Sequence, residues 1–79
     1  PEQRAPPSRD TLSKLFKLTP AEAALCASLA AGNNINEACS ALGITRNTAK
    51  SRLKSIFGKT GATRQSHLVS ILLDTIATL

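Results

Sequence analysis

Apolar residues recur every three or four positions along most of this chain, with polar residues between them. That spacing is the mark of helices that turn one face to a core. Leu12, Leu15 and Phe16 fall at i, i+3 and i+4, which predicts a short helix capped by Ser8 or Asp10. Thr19-Pro20-Ala21-Glu22 reads as a capping box with proline at the first helical position. It predicts a helix to Ala31 that stops at Gly32, with Leu25, Cys26, Leu29 and Ala30 as its apolar side. Leu18 and Ala23 or Ala24 suit a hydrophobic staple at its start. Asn34-Ile35-Asn36-Glu37 repeats the capping pattern for a helix from Ile35 to Leu42, ended by Gly43 in a positive-φ turn. Thr45 can cap the next helix, from about Arg46 to Phe57, with Gly58 loosening its end and Lys59-Thr60-Gly61 closing it. A last helix is expected from Arg64 or Gln65 to about Thr78. No stretch alternates with period two, so the chain is expected to be all-α.

With 79 residues there is room for one small domain. Two phenylalanines are the only aromatics, so the core must be built of Leu, Ile, Val and Ala. Three of the four prolines fall in the first eight residues, so 1–17 reads as a linker with a candidate short helix and 18–79 as the domain. A chain starting at Pro1 reads as a piece of something longer. No apolar run approaches the ~20 residues a bilayer demands, and no signal peptide leads the chain, so no membrane partner is expected. Cys26 and Cys39 both fall on apolar helix faces and read as small buried hydrophobes, which fits a reducing cytoplasm. One histidine cannot complete a zinc site with them, and no metal or other cofactor is implied.

A short helix, a Gly-Ile turn and a longer basic helix make a helix-turn-helix. Gly43 permits the tight turn, Cys39 is small where two helices cross, and Ile44 is expected to plug the turn into the core. At 100° per residue, Ala49, Leu53 and Ile56 of the longer helix share one side, and Asn47, Lys50, Ser51 and Lys54 lie roughly opposite. Two lysines, an amide and a hydroxyl are groups able to read base edges in a major groove. Arg46 at the helix start and Arg52 on its flank are placed for phosphates, and Lys59 is assigned to phosphates with them.

Charge supports the same partner. Ten Lys and Arg against five Asp and Glu give a net charge of +5. No acid occurs between Ala38 and Leu73, a span that holds Arg46, Lys50, Arg52, Lys54, Lys59 and Arg64. One-sided positive charge points to a polyanion such as double-stranded DNA.

From Leu18 to about Leu73 the chain resembles the LuxR-type helix-turn-helix domain of bacterial transcription regulators. The resemblance is carried by Leu18-Thr19-Pro20 with Glu22, then Gly32, Glu37, Leu42-Gly43-Ile44-Thr45, Thr48, Lys50, Ile56, Lys59, Gly61 and Leu68-Val69. It implies a four-helix domain whose third helix, here about 46–57, enters the major groove. Positions matching Lys50, Ser51 and Lys54 would face bases, and those matching Thr45, Arg46 and Arg52 would lie near the phosphate backbone. It further implies a C-terminal effector domain behind a sensory or receiver domain, with RNA polymerase a candidate partner. Ala21, Ser28, Ala49, Arg52, Gln65 and His67 depart from the residues usual in that family.

The last helix carries an apolar arc of about 240°, wider than the ~100° stripe one packing face needs. Part of it is expected to pack on Leu25, Leu29 and Leu53. The remainder, with Leu72, Leu73 and Ile76, is the candidate interface of a weak homodimer on a two-fold DNA site. A sigma-factor-like promoter-binding domain and a helical protein-interaction module with a basic face are the alternative readings. No paired carboxylates, nucleophile-base spacing or phosphate loop occurs, so no catalytic residue is named and an enzyme is not expected. His67 is read as an exposed residue in the first turn of the last helix.

Overall fold

A computed structural model describes residues 9–77, which form five helices and no strand. They are α1 (Arg9–Phe16), α2 (Pro20–Ala30), α3 (Ile35–Leu42), α4 (Arg46–Thr60) and α5 (Gln65–Ala77). The expected linker over 1–8, the Ser8 cap, Thr78 and Leu79 lie outside the described residues, as do the side chains of Ile76 and Ala77.

The helix starts follow from their caps. Thr19 N–H donates to Glu22 Oε1 at 2.9 Å, and Glu22 N–H donates to Thr19 Oγ1 at 3.2 Å. Asn34 and Glu37 repeat the exchange at 2.7 and 2.8 Å. Each pair satisfies two amides that have no partner inside the helix. At the other end of α3, Gly43 takes φ +68° and Ile44 N–H reaches back to Cys39 O at 3.0 Å. That left-handed step belongs to glycine because a Cβ is strained there.

Helix α1 ends the same way without a glycine. Lys17 takes φ +56°, Leu18 N–H donates to Ser13 O at 3.1 Å, and Ser13 Oγ donates to Leu18 O at 2.7 Å. No turn residue in the sequence announced this stop. Helix α4 runs three residues beyond the expected Phe57, because Gly58 stays helical and the left-handed residue is Gly61, at φ +82°.

Helix α2 is the hub and packs against each of the other four helices. Glu22, Ala23, Ala24, Leu25, Cys26 and Leu29 are all buried, so α2 is enclosed on most of its circumference rather than along one stripe. Its alanines let neighbouring backbones come close. Around it Leu12, Leu18, Leu53, Ile56, Leu68 and Leu72 close the core. Full burial of each leucine or isoleucine side chain contributes about 1.5–3 kcal/mol.

Leu12 places α1 in that core, so the folded unit begins upstream of Leu18. Leu15, expected beside Leu12, is instead 45% exposed, because an eight-residue helix turns only one narrow edge to α2. Ile44 is half-buried and lies outside the core cluster; the turn is held by its hydrogen bonds rather than by an apolar plug. Among the described residues no helix is long and apolar enough to cross a membrane.

Candidate nucleic-acid interface

Helices α3 and α4 pack on each other across the Gly43-Ile44 turn. Cys39 is buried there, and its Sγ lies 3.8 Å from Thr45 O, a weak thiol hydrogen bond into the turn. Thr45 is extended and starts α4: its Oγ1 accepts from Thr48 N–H at 3.1 Å and donates to Thr48 Oγ1 at 3.0 Å. Ala49 and Ile56 are fully buried and Leu53 nearly so, which fixes the inner side of α4.

The outer side is the arc expected from the sequence. Asn47, Lys50, Ser51 and Lys54 are all exposed and share one arc of α4. Among the described residues none of their side chains has a hydrogen bond or ion pair. Two cations, an amide and a hydroxyl therefore stand available on about two turns of one rigid helix. Such a helix, about 10–12 Å across, matches the ~12 Å width of a B-DNA major groove.

The residues assigned to phosphates divide. Arg46 is exposed in the first turn, at the edge of the arc. Arg52 is half-buried and sits about 150° round the helix from the centre of the arc. Thr45 is exposed, with its hydroxyl engaged in the cap. Lys59 is paired instead: its side chain stays 34% exposed while its Nζ donates to Glu22 Oε1 at 2.6 Å.

Glu22 is the functional-looking residue whose reach the sequence hid. It is 6% exposed and the only buried charged residue among those described. Its Oε1 accepts from Thr19 N–H and from Lys59, and its Oε2 accepts from Ser55 Oγ at 2.6 Å. Burial alone would push this carboxyl up. The hydrogen bonds from Lys59, Ser55 and Thr19 and the Lys59 charge outweigh it and hold the group down to about 2. The capping box announced the Thr19 contact. Ser55 and Lys59, four apart on α4, were the remaining signal: one polar stripe lying between the core side and the outward arc.

Cys26 is buried beside this network, and burial together with the Glu22 charge pushes its thiol up to about 12. Both cysteines are free. His67 is exposed, as expected, and its Nδ1 accepts from Thr63 N–H at 3.2 Å just before α5. With Thr63, Arg64, Ser66 and Ser70 it lines a shallow polar depression. Among the described residues no group of three His, Cys, Asp or Glu stands together to ligate a metal.

On α5 the candidate dimer residues part company. Leu72 is completely buried in the core and cannot meet a second copy. Leu73 is 48% exposed. The side chain of Ile76 lies outside the described residues. Val69 and Ile71 pack partly on the core, so the bare apolar surface is narrower than the 240° arc implied.

No protein-family model matches the chain, and no curated protein or solved structure matches it either.

Proposed function

We propose that the protein binds double-stranded DNA sequence-specifically, as the effector domain of a bacterial transcription regulator, with α4 in the major groove. The observation that carries this reading is the exposed arc of Asn47, Lys50, Ser51 and Lys54, without internal partners, on a helix presented by a tight left-handed turn. Lys50, Ser51 and Lys54 donate to base edges, with the lysines suited to guanine O6 and N7. Arg46 meets a phosphate at the edge of the groove, and the acid-free span from Ala38 to Leu73 draws the polyanion in. The resemblance to LuxR-type domains supports the same partner and a cytoplasmic setting. Exposed Leu73 supports a second copy meeting this one through α5 on a two-fold site.

Selection of bound sequences from a random duplex library tests the reading. The expected result is one enriched motif, with Lys50→Ala and Lys54→Ala each flattening preference at particular positions and Arg46→Ala weakening selected and random duplexes alike. A library that returns unenriched from repeated rounds contradicts it.

A further inference from the structure

Ser55 and Lys59 are one turn apart on α4, and both end on the same carboxylate. Their stripe lies about 110° from the centre of the outward arc and about as far from the buried side, on helical geometry. The core contact and the Glu22 contact therefore grip α4 on two different sides. Together they fix its rotation about its own axis and leave only the Asn47–Lys54 arc free. A helix held by its core face alone can roll by sliding apolar side chains, since such packing is not directional. Charge-assisted hydrogen bonds of 2.6 Å to two oxygens of one carboxylate are directional.

Glu22 is itself anchored. It lies in the first turn of the central helix, its Oε1 is tied to Thr19 N–H, and the N-terminal end of a helix favours its charge. The same pair has an electrostatic consequence. A lysine bound to a buried carboxylate is not available to neutralise a phosphate.

We propose that Glu22 is a positioning residue of the DNA interface: through Ser55 and Lys59 it sets the roll of α4 in the groove and withholds Lys59 from the phosphate backbone. The proposal rests on the DNA-binding reading above. It separates two roles that net charge alone would merge. Lys50 and Lys54 meet the ligand, whereas Lys59 is spent on aiming them.

The probe is a duplex selected by the wild-type protein from a random library, compared with an unselected random-sequence pool, each titrated against salt. In wild type both the salt slope and the preference for the selected duplex are measured first. Absence of salt-dependent duplex binding there defeats the DNA-binding reading itself. Given wild-type binding, Lys59→Met should keep the salt slope, because no phosphate contact is lost, while the selected-to-random preference falls at least about fivefold. Ser55→Ala should lower the preference with an unchanged slope. Glu22→Gln, which retains an acceptor for Thr19 N–H, should release Lys59, steepen the slope by about one and raise affinity for the random pool. A purely structural role for Glu22 lowers the folded fraction and leaves the slope of the folded protein where it was. If Lys59→Met makes the slope shallower by about one, Lys59 is a phosphate contact and the proposal is overturned. It is equally overturned if Lys59→Met and Ser55→Ala both keep the full wild-type preference. Ser55→Ala leaves Lys59 on the carboxylate and keeps Glu22 paired, so it remains informative if Glu22→Gln or Lys59→Met does not fold.

Discussion

Ser55 Oγ donates to Glu22 Oε2 at 2.6 Å, joining residues thirty-three positions apart in the chain. With Lys59 on the other oxygen, this contact couples the first turn of α2 to the second half of α4. The carboxylate is nearly sealed from solvent, so its charge is tolerable only while these donors stay in place.

Acid should therefore loosen the fold in a defined window. The Glu22 carboxyl lies at about 2 in the folded protein against 4.5 ordinarily, so its stabilisation is complete above about pH 4.5 and is lost as pH falls toward 2. The linked loss is about 3 kcal/mol. Urea unfolding followed between pH 6 and pH 2 should show it, and Glu22→Gln should remove most of that dependence. A Glu22→Gln curve parallel to the wild-type curve would place the acid sensitivity elsewhere.

The two neighbouring leucines of α5 should behave in opposite ways. Leu72→Ala empties a fully buried site and should cost about 2–5 kcal/mol. Leu73→Ala changes a half-exposed side chain and should stay within about 0.5 kcal/mol. Thermal melts of the two variants decide the matter, and comparable losses would reject the burial pattern described for α5.

Backbone handedness supplies a second pair of opposite signs. Gly43 sits at φ +68° with open space where a Cβ would go, so Gly43→Ala should cost about 1–2 kcal/mol through strain alone. Lys17 already bears that strain at φ +56°, so Lys17→Gly should stabilise by up to about 1 kcal/mol. Denaturant midpoints moving in the same direction for both would contradict the assigned turns.

How much of this was readable in advance depends on range. The boxes at Thr19–Glu22 and Asn34–Glu37, the Thr45 cap and the Gly43 turn involve residues within a few positions of each other, and local chemistry announces them. The outward arc of α4 was also legible, because helical periodicity alone separates Lys50 and Lys54 from Ala49 and Ile56. The left-handed Lys17 carried no glycine to mark it. Leu72 and Leu73 differ only by where the rest of the core lies, which a wheel does not contain. The pairing of Lys59 was hidden for the same reason: its partner belongs to another helix, and counting charges along the chain cannot tell a spent cation from a free one.

Thiol chemistry offers an independent check on packing. Burial and the nearby Glu22 charge push Cys26 up to about 12, so almost no thiolate exists at neutral pH in the folded state. A disulfide reagent at pH 7.5 should modify Cys26 only at the rate of unfolding, and mild urea should accelerate it. Rapid stoichiometric labelling of Cys26 in the native protein would show that the core around α2 is open.

The central claim is that α4 and its basic surroundings meet a polyanion with phosphates on both sides of a groove. Binding of the domain to a random duplex, measured by anisotropy from about 50 to 200 mM salt, tests it most directly. Log K should fall linearly against log salt, and Arg46→Ala should make that slope shallower by about one. Affinity that does not change across that salt range would contradict DNA binding through this face.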